Sequence, residues 1–293
     1  WFQIDAVRGA TKVLQSNTTD DESDGDALSL DSDGFTLGSY SGGNANQSGE
    51  TYASWNWLGA NGTASNGDGS ITSTVSANTT AGFSIVSYAG TGATSNQTIG
   101  VGLSWSGKEK LVIIKNRDAT DNWYLNSSIL STNKLLTLDT DNNDSQENSS
   151  GYITYNSNSF TTYNGSNMLN LANDYIAYCF HSIEGYSKFG IYEGTNSASN
   201  GVFVHLGFKP AFFFAKSIDH TDNWLLYDNK RIGYNTGVYP LFPNLSNAES
   251  SSTDHWDILS NGIKAYSTNL NYASTFAYWA WAEMPFKYAN ANF

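Results

Sequence analysis

The sequence has a single cysteine, Cys179, among its 293 residues. One thiol cannot form an intrachain disulfide, so the disulfide-stapled scaffolds of small secreted domains are excluded. Cys179 lies within the apolar run Tyr-Ile-Ala-Tyr-Cys-Phe, a position that favours a buried structural thiol over a nucleophile. The sequence also lacks any apolar run approaching the roughly 18 residues of a membrane-spanning helix, which predicts no membrane insertion.

Basic residues are scarce as well. Lys and Arg number 14 against 27 Asp and Glu, which gives a formal net charge of −13. Because an acidic surface repels phosphate backbones, we expect no nucleic-acid partner.

Aromatic residues, in contrast, are abundant: the chain has 9 Trp, 18 Tyr and 15 Phe. Much of the remainder is Asn, Ser, Thr and Gly. Aromatic and β-branched residues favour pleated strands, whereas Asn, Gly, Ser and Asp favour turns. Strongly periodic helical segments are absent from the sequence, so the composition predicts an all-β fold.

An internal repeat is the main signal in the chain. The tetrapeptide Thr-Asp-Asn-Trp at 120–123 recurs at 221–224, and the apolar run before it, 111–115, corresponds to 212–216. An alternation of aromatic residues follows at the same distance in both copies, since Tyr178 and Trp279 each lie 55 positions after the repeated Trp. Each full repeat of about 100 residues carries seven or eight short strands, which predicts a β-sandwich of the jelly-roll or immunoglobulin type.

The first 57 residues match only the second half of this repeat. We therefore predict a partial first repeat (1–57), a linker rich in Gly, Asn, Ser and Thr (58–82), a second repeat (83–187) and a third (188–293), laid end to end. The residues predicted to form the core of the repeats are Trp1, Trp55, Trp57, Trp123, Tyr178, Phe180, Trp224, Trp279 and Trp281.

Asp5 and Arg8 occupy the same positions relative to Trp1 as Asp228 and Arg231 do relative to Trp224. The second repeat has Ser127 and Leu130 there, so we interpret the pair as an optional surface ion pair of little energetic weight.

An incomplete first repeat has a structural consequence. Half a sandwich exposes an apolar face and an unpaired strand edge. We therefore expect that the native polypeptide continues upstream of Trp1, or that another chain supplies the missing strands.

Several stretches carry a resemblance to a known family. The runs GFSIVSYAGTG, LVIIKNRDATDNWYL, YIAYCFHSIEGYSKFG, LYDNKR, LSNGIKAYS and WAEMPFKYANANF resemble repeats found in virion proteins of marine tailed bacteriophages. In that family the repeats often follow a laminin-G or concanavalin-A-like domain. The resemblance covers essentially the whole chain and implies a component of a phage particle. It carries over no binding or catalytic residues.

Candidate site residues are few. Asp139, Asp141 and Asn143 place side-chain oxygens at alternate positions, as calcium loops do, but the glycine and the glutamate of the helix-loop-helix calcium motif are missing. The alternative is a hydrophilic hairpin tip, so calcium is a weak prediction. Trp105 and Trp256 lie outside the repeated aromatic pattern and are weak candidates for a ligand contact, although packing is the favoured interpretation.

No catalytic motif is visible in the sequence. It contains no Gly-x-Ser-x-Gly elbow, no phosphate-binding glycine loop, no histidine pair at metal-binding spacing and no closely spaced acidic pair of the glycanase type. We predict that the protein is not an enzyme and has no cofactor.

Taken with the resemblance, these features predict a phage virion structural protein on the virion surface or otherwise extracellular. The expected form is a fibre or appendage, homotrimeric, in contact with other virion proteins and with a host surface glycan. Two alternatives remain open: a capsid decoration or cement protein, and a bacterial glycan-binding adhesin.

Overall fold

A computed structural model describes residues 1–25, 27–38, 45–131, 133–144, 146–148, 151–163, 167–197, 200–231, 235, 239–249, 256–266 and 268–283. The all-β prediction is confirmed, because these residues form 23 strands in six sheets and only two short helical turns. The helical turns are a 3-10 turn at Asn167–Leu169 and a single α turn, α1, at Thr268–Asn271. Within the described ranges, neither helix could cross a bilayer.

The first unit has two small antiparallel sheets. One has the order β1-β2-β3, and the other is the hairpin β4-β5. Their strands are β1 (Phe2–Asp5), β2 (Gly9–Gln15), β3 (Ser23–Asp24), β4 (Ala27–Leu30) and β5 (Phe35–Leu37).

The second unit is a sandwich of an eight-stranded and a three-stranded sheet. The large sheet has the order β13-β12-β11-β10-β16-β8-β7-β6 and the small one β14-β15-β9. Trp105, Phe160 and Tyr175 fill the core between them. The strands are β6 (Ala64–Asn66), β7 (Ser73–Asn78), β8 (Phe83–Ala89), β9 (Gln97–Gly100), β10 (Lys110–Asn116), β11 (Trp123–Ser127), β12 (Lys134–Thr137), β13 (Gln146–Glu147), β14 (Ile153–Tyr155), β15 (Ser159–Thr162) and β16 (Asp174–His181).

The third unit repeats this plan. Its sheets have the orders β17-β23-β19-β20 and β18-β22-β21, with Tyr227, Trp256 and Phe276 between them. The strands are β17 (Ser187–Glu193), β18 (Val202–His205), β19 (Pro210–Ser217), β20 (Leu225–Asp228), β21 (Trp256–Leu259), β22 (Gly262–Ala265) and β23 (Thr275–Ala282). The orders β11-β10-β16-β8 and β20-β19-β23-β17 match strand for strand.

The segment 58–82, predicted to be a linker, is structured. It contributes β6 and β7, and β7 pairs with β8 along its whole length. Ile71 and Val75 are buried in the second unit's core, and the Ser73 hydroxyl donates to the Gly100 carbonyl at 2.7 Å. Small polar side chains whose hydroxyls find partners can line a buried strand, so composition alone misassigned this stretch.

The three units are not laid end to end, as the repeat had suggested, but pack around one aromatic core, here called the shared core. All nine residues predicted to form the repeat core lie in it, five of them buried and four half-buried. Trp57, Phe180 and Trp281, one from each unit, meet pairwise with ring centroids 5.3–6.1 Å apart. These three residues hold equivalent repeat positions, so the three units meet through the same part of the repeat.

The repeated Trp of each unit makes the same bond to a neighbouring unit. Each indole N–H donates to a backbone carbonyl across a unit boundary, and the three contacts close a ring. The pairs are Trp123 to Gln15 at 2.8 Å, Trp224 to Thr137 at 2.9 Å and Trp1 to Leu245 at 2.8 Å.

The inner and outer sides of the first unit differ. The inner side is covered by its own chain, because Leu14 and Trp1 pack into the shared core. The outer side shows the open apolar face expected of half a sandwich. Phe35 is 40% exposed, whereas its repeat counterparts Phe160 and Ile263 are fully buried.

Candidate functional site

The three unit junctions that the Trp hydrogen bonds connect differ in the hydrogen-bond partners of their polar side chains. At the junction of the first and second units, Arg8 Nε donates to Asp5 Oδ2 at 2.5 Å. The Tyr178 hydroxyl, from the second unit, donates to the same carboxylate at 2.8 Å and accepts from Arg8 Nη2 at 3.2 Å. Tyr178 therefore connects two units through a buried ion pair.

The ion pair of Asp5 and Arg8 is not the surface pair that the sequence suggested. Both side chains are almost completely buried, with exposed fractions of 2% and 0%. Burial by itself lowers the pKa of Arg8, but the charge of Asp5 and the contact with Tyr178 outweigh it and hold the pKa above its ordinary value. Repeat position could not reveal this burial, because the covering residue, Tyr178, comes from another unit.

The junction of the second and third units has a neutral version of the same contact. Trp279, the counterpart of Tyr178, donates its indole N–H to the Ser127 hydroxyl at 3.3 Å. Ser127 is the counterpart of Asp5. This junction is closed as well.

At the junction of the third and first units, here called the 3–1 junction, the ion pair recurs without its cross-unit partner. Arg231 Nε donates to Asp228 Oδ2 at 2.6 Å. The residue in the place of Tyr178 is Trp55, whose indole makes no hydrogen bond within the described part of the chain. Arg231 Nη2 and Asn229 Oδ1 are buried and have no described partner.

A cleft of about 590 Å³ opens at the 3–1 junction. Tyr52, Trp55 and Trp57 line one side, and Asp228 to Arg231 with Glu283 line the other. Tyr52 is 53% exposed and Trp55 half-buried, so aromatic surface is accessible beside an ion pair. Aromatic faces flanked by hydrogen-bonding groups suit a ligand with both apolar faces and hydroxyl groups.

No described strand pairs with residues 52–57, which leaves this side of the cleft open. Their counterparts β16 and β23 are central strands with a partner on each side. In the first unit, the segment is held by ring contacts: Trp55 stacks on Trp1 at 6.0 Å, and Trp57 meets Phe212 edge-on at 5.1 Å. The side chains of this segment therefore pack against the shared core, while its backbone makes no described strand pairing.

The sequence did not identify this cleft. The sequence feature that relates to the cleft is the Asp and Arg pair, which recurs in the first and third units but not in the second. Together with the loss of the Tyr hydroxyl at position 55, that recurrence could have marked the 3–1 junction.

The two tryptophans that are weak candidates for ligand contact are core residues, which agrees with the favoured packing interpretation and excludes the ligand contact. Trp105 is fully buried and donates its indole N–H to the Asn156 carbonyl at 2.7 Å. Trp256 is 1% exposed and packs against Tyr227 with ring centroids 4.4 Å apart. Lying outside the shared aromatic pattern means that they fill the individual sandwich cores.

The weak calcium candidates make structural contacts. Asp139 Oδ1 accepts the backbone N–H of Trp123 at 2.7 Å, and burial raises the pKa of this carboxyl. The Asp141 carbonyl accepts the Asp222 N–H, and the Asn143 amide donates to the Asp219 carbonyl, so this loop fastens the second unit to the third. Among the residues that the structure describes, no group of three or more His, Cys, Asp and Glu is placed to hold a metal ion.

Comparison with known proteins identifies a family but no activity. A family model described as "Domain of unknown function (DUF7483)" matches residues 1–285. No curated protein and no solved structure matches the chain.

Proposed function

The chain belongs to this DUF7483 family, and we propose that it is a non-enzymatic structural module of a tailed-bacteriophage particle, displayed on a fibre or appendage that attaches to the host surface. The observation that carries the proposal is the closed ring of Trp contacts around the shared core. Three units locked head to tail form one body that can transmit force without hinging, which suits a displayed attachment module. The resemblance of the strand motifs to phage virion repeats supports the same assignment.

Immunogold labelling tests the location. Antibodies raised against residues 1–293 would be applied to particles of the phage that encodes the chain. Gold on the tail or its appendages is the expected result. Gold spread over the shell would instead support a capsid decoration protein, and particles without label would overturn the virion assignment.

The proposal includes a homotrimer and contacts with other virion proteins. Phage appendages are usually homotrimers, which are assemblies with closed symmetry. Light scattering on the purified full chain measures its mass directly. A mass of three chains supports the trimer, and a mass of one chain at micromolar concentration contradicts it.

Glycan binding is a second candidate, and the cleft at the 3–1 junction is the observation that favours it. Exposed Tyr52 and half-buried Trp55 offer stacking surfaces, and Asn229 and Arg231 line the opposite side of the cleft. A sugar hydroxyl can take the role that the Tyr178 hydroxyl plays at the first junction.

A glycan array tests the second candidate. Binding by the native chain that falls at least tenfold in Tyr52→Ala supports it. Phe203→Ala is the matched control, because Phe203 is a comparably exposed aromatic residue on β18, away from the cleft. An array without any binding, or equal losses in both variants, would contradict a glycan site in the cleft.

A further inference from the structure

In the first unit, the rings of Trp1 and Trp55 are as far apart as the equivalent rings on second-neighbour strands in the other two units. In the second unit, Lys115 of β10 pairs with Trp123 on one side and with Ile176 on the other. The rings that flank this intervening strand keep nearly the same separation in all three units: 6.4 Å for Trp123 and Tyr178, 5.9 Å for Trp224 and Trp279, and 6.0 Å for Trp1 and Trp55. In the first unit, no strand of the described residues lies between β1 and residues 53–57. We call this gap the slot.

Both edges of the slot have unpaired backbone groups. β1 pairs with β2 alone, and residues 53–57 make no backbone-to-backbone hydrogen bond within the described ranges. A row of free N–H and C=O groups is a template for an added strand. Here two such rows belong to the segments that carry Trp1 and Trp55, whose rings stack.

We propose that the slot binds an extended strand from outside residues 1–293, antiparallel to both edges, with four apolar residues followed by a lysine. The strands that fill the equivalent place in the other units are Leu-Val-Ile-Ile-Lys at 111–115 and Phe-Phe-Phe-Ala-Lys at 212–216. Their register places the lysine of the added strand between Trp1 and Ala53. Its first apolar residue then lies between Asp5 and Trp57.

The occupant must be apolar on both faces. Leu111 and Ile113 of β10 contact the shared core, whereas Val112 and Ile114 contact the core of their own sandwich. In the slot, the first of these faces meets the shared core. The second face of the added strand lies on the same side as Phe2. Phe2 is 36% exposed, whereas its counterpart in the second unit, Tyr124, is 5% exposed. An added strand would cover this surface.

An arginine two residues beyond the lysine extends the match. Arg117, in that position after β10, donates twice to Glu22 at 2.9 Å, and Glu22 also accepts from Arg8. At the 3–1 junction, Glu249 takes the place of Glu22: it accepts from Arg231 at 2.8 Å and is 45% exposed. A basic strand also complements the net charge of −13.

This inference goes beyond the proposed function and does not rest on it. A strand can enter the slot whether or not the protein belongs to a particle. Virions without label would therefore count against the proposed function but not against the slot.

The direct test uses a peptide of the chain's own sequence. A fluorescein-labelled peptide of residues 109–118, Glu-Lys-Leu-Val-Ile-Ile-Lys-Asn-Arg-Asp, is titrated with the full chain and followed by fluorescence anisotropy. We expect saturable binding together with slowed hydrogen exchange at residues 2–5 and 53–57. The control peptide carries Ile113→Pro, which removes a central N–H, and we expect it to bind at least tenfold more weakly.

A charge exchange tests the register. Glu249→Arg in the protein is expected to weaken binding of the native peptide several-fold, and an Arg117→Glu peptide to recover the loss. The proposal that a strand binds in the slot would be overturned by any of three results: no binding, equal binding of the proline peptide, or slowed exchange confined to other strands. Binding that is indifferent to both charge changes would overturn the proposed register.

Discussion

The indole N–H of Trp123 donates to the carbonyl of Gln15, 108 positions earlier in the chain, at a distance of 2.8 Å. Trp224 repeats the bond to Thr137 at the next junction. A bond that recurs between units rather than within them makes each unit's stability depend on its neighbour. Because of this coupling, a substitution at one junction should destabilise the two units that meet there.

Trp224→Phe is expected to loosen two units at once. It removes the donor to the buried Thr137 carbonyl and leaves a small cavity, so we expect a loss of about 2–4 kcal/mol in the free energy of unfolding. Urea unfolding measures the loss, and native-state hydrogen exchange shows where it is felt. Trp105→Phe is the control, because its bond to the Asn156 carbonyl stays within the second unit. Faster exchange confined to the third unit in Trp224→Phe would contradict the coupling.

Arg8 and Arg231 are expected to contribute differently to the free energy of unfolding. Arg8→Met leaves the Asp5 carboxylate buried without its charge partner, which costs about 3–5 kcal/mol. Arg231→Met acts at the open 3–1 junction, where the arginine side chain is 13% exposed, and should cost at least about 1 kcal/mol less. Urea unfolding of both variants decides the matter. Equal losses would mean that the Tyr178 contact adds nothing to the ion pair.

Gly194 is expected to tolerate no side chain. A Cβ at this position would overlap the Tyr272 carbonyl oxygen, and the Gly194 N–H is held by the Ser274 carbonyl at 2.9 Å. Gly194→Ala should therefore lower the free energy of unfolding by about 1–3 kcal/mol or more. Gly67→Ala is the control, because a Cβ there meets no atom within 4 Å. Similar melting temperatures for the two variants would contradict the close approach.

Lys216 gives the stability a dependence on alkaline pH. Burial lowers the pKa of Lys216 to about 8, while the nearby carboxylates of Asp222, Asp141 and Asp144 oppose the shift. Between pH 8 and the ordinary lysine pKa of about 10.4, the unfolded chain keeps the proton that the folded chain has lost, so stability rises with pH in this window. The rise contributed by one group is at most about 1.4 kcal/mol per pH unit.

Comparison with Lys216→Met isolates this effect. General charge repulsion in an acidic protein is common to both chains and cancels in the difference between them. The stability of the native chain relative to Lys216→Met should increase from pH 8 to pH 10 in urea unfolding. A constant difference would show that Lys216 titrates normally in the fold.

The sequence predicted the units better than their arrangement. The spacing of Trp123 and Trp224 to their aromatic strands identified equivalent positions, and all nine predicted core residues lie in the shared core. A repeat pattern states which residues correspond, but it does not state which faces meet. The shared core, the buried pair of Asp5 and Arg8, and the cleft therefore escaped prediction, because each depends on contacts between units.

Composition misled in two places for physical reasons. The stretch 58–82 is polar, yet Ser73 and Ser76 are buried because hydrogen bonds satisfy their hydroxyls. Trp105 and Trp256 lie outside the repeated pattern, which in the sequence makes them weak ligand candidates. Each sandwich needs a large side chain between its own sheets, and these two tryptophans fill that role.

Hydrogen exchange at increasing urea concentrations tests the central claim, that the three units form one body closed around a shared core. Peptides from β2, β16 and β23 report on the first, second and third units in one experiment. The ring predicts that all three lose protection at the same urea midpoint, as one cooperative transition. Separate midpoints, with the first unit opening while the other two stay protected, would contradict it.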